Sequence, residues 1–514
     1  MPKPETAMPL LHRLGGLFSL GFILVIVVSM GVSGWFALHE GLFRFTLPFT
    51  TADATQQVTQ AVEAVRADPH PGKLRHVSQE MWALSTLTSV ERFADSRLME
   101  HGIYYTAMPT TNQALMLVHV LFGVFCMLLG GLQFWPGFRK RYLKAHRVIG
   151  MIYVVTVPVS VVTVLAYMAL TPPHHIYAHL VAWVALWIFG LLALVAIAMA
   201  LRALKARRIF EHQAWMALSF GCLLVAPLLR LDWVLLAWRF PGIDQETLNL
   251  VTMGMMLPEA LLIAYGLILV NRQYARPMRQ RPAATVAGHG ARLFQRAQPA
   301  LQATALALLV SNVLFYVAGT GMASTETAAR LVPAALVERE QAVLAAHPGI
   351  TLLFALGISL AFPAVVLALR QLLQPATAPA LAASLVAPLL ALGGGVASCV
   401  LGWHIGLGPD NVWLSGGTMY MVNGLVLAAF SLLCLGARHV GQRALLKEGL
   451  VFLLCLLPFP TLFFLTLQVL GWISLPADYI AAGQGFVLPV GFSAGLLFLA
   501  MLYVVHGQAT REHN

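Results

Sequence analysis

Residues 139–208 read RKRYLKAHRVIGMIYVVTVPVSVVTVLAYMALTPPHHIYAHLVAWVALWIFGLLALVAIAMALRALKARR. The stretch opens on a basic cluster, runs apolar, turns at Thr171-Pro172-Pro173, runs apolar again and closes on a second basic cluster. No Asp, Glu, Lys or Arg falls between Val148 and Leu201. A helix needs about 20 apolar residues to cross the hydrocarbon of a bilayer, so this stretch holds two adjacent spans. Short loops rich in Lys and Arg stay on the inner face; both basic clusters therefore lie inside and the Pro172-Pro173 turn outside.

The same pattern recurs in both directions. Apolar runs predict spans near 16–38, 113–135, 147–170, 178–201, 213–236 and 250–270, and a second set near 299–322, 349–369, 380–403, 417–437, 450–473 and 485–506. Inner segments then carry Lys3 and Arg13, the 139–147 cluster, Arg202 to Arg208, six arginines from Arg272 to Arg296, Arg370, Arg438, Arg443, Lys447 and Arg511. The short outer loops carry only Arg239, Arg330 and Arg339. The expected fold is all-α: a polytopic membrane protein of about twelve transmembrane helices in two six-helix halves, with the N and C termini inside a bacterial inner membrane. The run 16–38 has no small-residue cleavage site and reads as a retained first helix.

Composition agrees. The 514 residues are 59% hydrophobic and 10% charged, with mean hydropathy +0.77, against roughly 25% charged in soluble domains. The net charge of +11 sits in inner loops, which argues against a nucleic-acid partner and for the lipid bilayer. All five cysteines fall in apolar runs without CxxC spacing, which speaks against disulfides and zinc.

Three regions follow. Residues 1–275 form the first half, with a His-bearing bundle at 113–236 and a long outer loop at 39–112. Residues 276–298 are a basic inner linker, and 299–514 the second half. In the outer loop, Met81, Leu84, Leu87, Val90 and Phe93 predict one amphipathic helix capping the outer face.

Four histidines mark successive helices of the first half. His119 lies inside the second span toward its outer end, and His179 opens the fourth at the outer face. His146 opens the third at the inner face, and His212 opens the fifth there. In an antiparallel four-helix bundle the second and fourth helices lie diagonally, as do the third and fifth. Each pair can clamp one haem iron between neutral imidazoles, which places two haem b groups roughly 20 Å apart. Gly123, Gly130 and Gly150 share helix faces with these histidines and would admit a flat macrocycle. Propionates need cations: Lys144, Arg147, Arg207 and Arg208 inside, Arg230 outside. Taken singly, each helix-end histidine also suits a merely interfacial role; the alternation of depth is what joins them. There is no CxxCH attachment motif.

Residues about 113–235 resemble the uncharacterised bacterial membrane family called domain of unknown function 2306. The resemblance rests on His119 with Gly130-Gly131-Leu132-Gln133-Phe134, on His146-Arg147-Val148-Ile149-Gly150-Met151-Ile152-Tyr153, and on His212-Gln213-Ala214-Trp215-Met216 with Leu229-Arg230-Leu231. The layout is also similar to the ascorbate-reducible transmembrane cytochrome b family, whose six helices carry two b haems on alternate histidines of the middle four. That resemblance implies His119 with His179, and His146 with His212, as ligand pairs, and transmembrane electron transfer as the function. This sequence departs from it in the shallower inner pair. Neither electron donor nor acceptor is legible. A cofactor-free transporter or channel, or an assembly scaffold, is the competing reading.

Other polar residues are weighed alongside. Glu259 sits mid-span, as a proton relay or a partner of Arg230, and Asp232 pairs with its surroundings. His347 and His404, with Asp410 and Trp413, suggest a metal or quinone pocket. Asn312 and Asn423 bond across helices. His174, His175 and His439 read as solvated.

Overall fold

A computed structural model describes residues 7–176, 180–273, 286–319, 321, 330–331, 334–373, 382–406, 417–477, 480 and 487–508. The described residues are helical with no strand, and the chain divides into two compact units at Arg279 and Gln280. Apolar side chains face outward along the long helices: Leu24, Val25, Val155, Leu191 and Leu306 are all exposed. A water-soluble surface of that kind would aggregate; in lipid it is the ordinary outer face of a helix bundle. The protein is an all-α, multi-pass membrane protein.

In the first unit, α1 (Ala7–Thr50) leads into a cap of five short helices: α2 (Ala54–Ala67), α3 (Pro71–Leu74), α4 (Gln79–Ser85), α5 (Val90–Ala94) and α6 (Leu98–Ala107). Then come α7 (Thr110–Gln133), the short α8 (Pro136–Arg141), α9 (Leu143–Leu170), α10 (Leu180–Lys205), α11 (Ile209–Leu223), α12 (Val225–Arg239) and α13 (Gln245–Gln273). The next helix, α14 (Val286–Asn312), opens the second unit.

Ten helices among the described residues are long and apolar enough to span, and α11 with α12 makes an eleventh if a 52° bend is allowed within one span. The expected fifth span is thus broken. Pro227 has no N–H to bond the carbonyl of Leu223, which removes one helical hydrogen bond at the join. The helix Val487–Gln508 covers the expected last run, with Gly495–Gly507 as its described apolar part.

Three expectations are corrected. The first helix does not end near residue 38 but continues to Thr50, so the segment after it begins later. The amphipathic pattern from Met81 to Phe93 is not one helix. Ser78 caps α4 by accepting from Met81 N, Ser89 caps α5 by accepting from Arg92 N, and Leu87 between them is exposed. A serine at the N-cap satisfies an amide that a continuous helix would bond internally, so the second serine restarts the chain. The expected linker is shorter too, since α14 begins at Val286 and takes Pro299 into its interior.

The cap is stitched to the bundle by buried charge. Glu40 of α1 accepts from Ser78 Oγ at 2.8 Å and from Glu80 N at 3.0 Å, so its carboxylate sits on the amides that open α4. Arg44, one turn on, pairs with Glu40 and lies over the Tyr105 ring. Arg92 donates to the carbonyls of Ile243 and Pro241 at 2.7 and 2.8 Å, and Glu246 accepts from Arg97 N at 2.9 Å.

The second unit is glycine-packed. The backbones of helices Pro348–Leu373 and Ala383–Ile405 meet at Gly357 and Gly394, where a Cβ on Gly357 would lie 2.9 Å from Gly394 Cα. Without a strong hydrophobic drive between helices in lipid, such close approach supplies the dispersion contact instead. Asn312 ties three helices: it donates to Ser359 Oγ at 3.0 Å and accepts from Thr461 Oγ1 at 2.6 Å. Asn423, expected to do likewise, has an Nδ2 with no partner.

Candidate functional site

Packing in the first unit runs from α7 to α9, α9 to α10, α10 to α11, and closes from α11 back to α7. The ring puts α7 opposite α10 and α9 opposite α11. This is the geometry in which residues on α9 and α11 face one another across a shared centre.

His212 is set by a tight turn. After α10, Arg207 takes a left-handed backbone (φ 57°), and Arg208 N bonds Ala203 O at 2.9 Å. The chain reverses within three residues, which returns His212 to the last turns of α10. There its Nδ1 donates to Ala200 O at 3.0 Å. A carbonyl only accepts, so Nδ1 carries the proton and the neutral ring's lone pair lies on Nε2. Metal-binding histidines are commonly oriented this way.

His119 is held by the same device. Its Nδ1 donates to Ser160 O at 2.9 Å, while Ser160 Oγ donates back to His119 O at 3.0 Å. The two helices are pinned reciprocally, and Nε2 again holds the lone pair. Its expected diagonal partner, His179, lies outside the described residues.

His146, near the start of α9, has a buried Nδ1 with no hydrogen-bond partner, and its charged neighbours include Arg139 and His212. A buried polar atom without a partner costs about 1–3 kcal/mol, so this nitrogen is available to a ligand. More such atoms lie around the ring: Gln133 Nε2 at the end of α7, and Nε of Arg208 just before α11, whose NH1 pairs with Glu211 Oε2 at 3.0 Å.

The cations differ from expectation. Arg230 is committed to the cap: both its Nε and its NH2 face the carboxylate of Glu80, the latter at 3.2 Å. Burial alone would push the Glu80 pKa up, but the charge and hydrogen bond of Arg230, with Arg44 nearby, outweigh it and hold the group below its ordinary value. Arg230 is thus held by Glu80, and Glu259 hydrogen-bonds Asp232 across α12 and α13. Arg147 is exposed on the side of α9 that carries Val148 and Met151, away from the face of Tyr153 and Ser160. Of the cations acting on His146, Arg139 weighs more than Arg147, and it donates to Asn271 Oδ1 at 3.1 Å. Burial lowers its pKa, though a guanidinium stays charged.

The glycines also serve another end. A Cβ on Gly130 would lie 2.6 Å from Phe220 Cδ2 and 3.1 Å from Tyr153 Cε2. Phe220 thus fills the face expected to admit a macrocycle. Gly123 and Gly150 look onto Ser160 Oγ and Gln133 Oε1 at 3.5 and 3.4 Å. These positions let helices approach.

Sequence reasoning missed Ser160, Arg139 and Glu80. Ser160 and Arg139 carried a signal, as polar side chains within or beside an apolar run. Glu80 carried none, because its partner is 150 residues away.

Of the remaining candidates, His347 and His404 do meet, with ring centroids 4.2 Å apart, while Asp410 and Trp413 lie outside the described residues. His175, expected to be solvated, stacks on Tyr104 at 3.9 Å. His439 is exposed. Among the described residues no group of three or more His, Cys, Asp or Glu could hold a bare metal ion. That does not bear on haem, whose porphyrin supplies four of the iron's six donors.

No curated protein and no solved structure matches the chain. Residues 116–267, which hold most of α7, all of α8 to α12 and most of α13, match the family described as predicted membrane protein DUF2306.

Proposed function

We propose that the first unit is an integral-membrane, b-type cytochrome-like electron-transfer module. In this reading His146 and His212 are the axial ligands of one haem at the basic end of the ring, and His119 with His179 hold a second toward the cap. The supporting observation is the α9–α11 diagonal, where the lone pair of His212 lies on Nε2 and His146 Nδ1 is buried without a partner. Bound haem supplies a one-electron couple. The chain supplies orientation: the carbonyls of Ala200 and Ser160 hold two imidazoles in one tautomer and raise their basicity as ligands. Arg139, with Arg147 on the neighbouring face, would supply the positive charge for a propionate at this end. With Phe220 against Gly130, residues nearer the ends of the ring than its middle would hold a macrocycle.

The test is a reduced-minus-oxidised visible spectrum of the purified full chain, expressed with ample haem supply. A b-type α band with about two haems per chain is expected. His212→Ala and His146→Ala should each remove about half of the haem while elution as a folded monodisperse species is kept. A featureless wild-type spectrum sinks the reading.

One observation favours a second reading. The bent α11–α12 span and the Asp232–Glu259 carboxyl pair beside it are features that transporters use for ion coupling. In that case haem is absent, and Glu259→Gln abolishes substrate or proton flux in vesicles.

A further inference from the structure

The basic end of the first unit carries a second feature that the ring does not use. Lys140, Arg141, Lys144 and Arg147 are all exposed, on α8 and the first turns of α9. The segment from Phe134 to Met151 holds no acidic residue. Among these cations stand exposed aromatics, Trp135 at 45% and Tyr142 at 50% relative exposure, and Arg141 lies 5.4 Å over the Tyr142 ring. Directly beyond them along α9 runs an exposed apolar stripe: Val148, Met151, Ile152 and Val155. Positions 144, 147, 148, 151 and 155 share one helix face.

Along this face a cluster of cations with aromatics among them gives way to an aliphatic stripe. An anionic phospholipid runs the same way, from headgroup phosphate through glycerol to acyl chain. Trp and Tyr prefer the interfacial layer between the two, and clustered Lys and Arg beside a span attract anionic headgroups. Arg147 belongs to this exposed face of α9, about 100° around the helix from its neighbour His146.

We propose that the α8–α9 corner is a binding site for an anionic phospholipid, with Lys140, Arg141, Lys144 and Arg147 on the headgroup phosphate and the 148–155 stripe along an acyl chain. The site is independent of haem.

The test is native mass spectrometry of the full chain in detergent, titrated with phosphatidylglycerol or with phosphatidylcholine. Retention of phosphatidylglycerol over phosphatidylcholine is expected. Neutralising the four cations together (Lys140→Gln, Arg141→Gln, Lys144→Gln, Arg147→Gln) should weaken it at least about tenfold. Arg202→Gln with Lys205→Gln, at the basic end of α10, should leave it unchanged. Excess inorganic phosphate should not displace the lipid if the acyl stripe contributes. Should the four-site variant not fold, Lys144→Gln with Arg147→Gln alone is expected to lose several-fold. Equal retention by wild type and a folded variant, equal loss in the α10 control, or displacement by free phosphate each overturns the proposal.

Discussion

Breaking the Glu80–Arg230 pair should release the cap from the bundle. The two side chains are 23% and 24% exposed, and both carboxylate oxygens face the guanidinium. At about 4 Å and an effective dielectric of about 20, such a pair attracts by about 4 kcal/mol. Partial exposure and the ordering of two long side chains reduce the coupling to about 2 kcal/mol. Removing one partner costs more than the coupling, about 3 kcal/mol, because the other charge is left largely buried and alone. Glu80→Gln and Arg230→Gln should therefore each raise the opening equilibrium of the cap roughly a hundredfold, and the double variant little further. The assay is limited proteolysis within 54–107 of the detergent-solubilised chain, with cleavage kept slow relative to reclosing so that rate reports population. The pH dependence has a definite sign. Glu80 titrates below its ordinary 4.5, so the stabilisation is complete above that value and is lost as pH falls below it. Additive single-variant effects, or Glu80→Gln as protected as wild type, would refute the reasoning.

His101 on α6 is buried, and that burial lowers its pKa to about 4, against smaller opposing help from Glu246. An opened cap takes up the proton near pH 6.5 and the closed one refuses it until about 4, so the cap should loosen by up to about 3 kcal/mol across that window. Hydrogen exchange of α6 at pH 7 and pH 5 checks this, and His101→Gln should flatten the slope. Gly221→Ala tests the helix join: the new Cβ would lie 2.5 Å from the Ala260 carbonyl oxygen, which is backbone and cannot swing away. A loss of about 1–3 kcal/mol is expected in thermal unfolding, whereas Gly242→Ala, with nothing within 4 Å, should be neutral.

What the sequence determined by itself is the solvent. Uncharged runs of twenty residues with basic flanks admit few structures but helices in lipid, because every backbone polar group must then be bonded within its own segment. The placement of His146 and His212 near the starts of their helices follows from the same runs, since depth is counted along one chain. The tertiary structure decided what each polar group meets. Arg147 went to the exposed face of α9 and Arg139, half-buried, toward Asn271 and His146, a choice set by helix rotation, which packing against neighbours fixes and charge clusters do not reveal. Arg230 went to Glu80 because a cap folded from residues far upstream delivers a carboxylate to that spot. The glycines of α7 and α9 look alike in sequence whether they admit a cofactor or a neighbouring ring, and Phe220 settled Gly130 in favour of the ring. Local periodicity reports burial on one element; which side chain fills a space depends on contacts between elements distant in sequence, and those exist only once the bundle has closed.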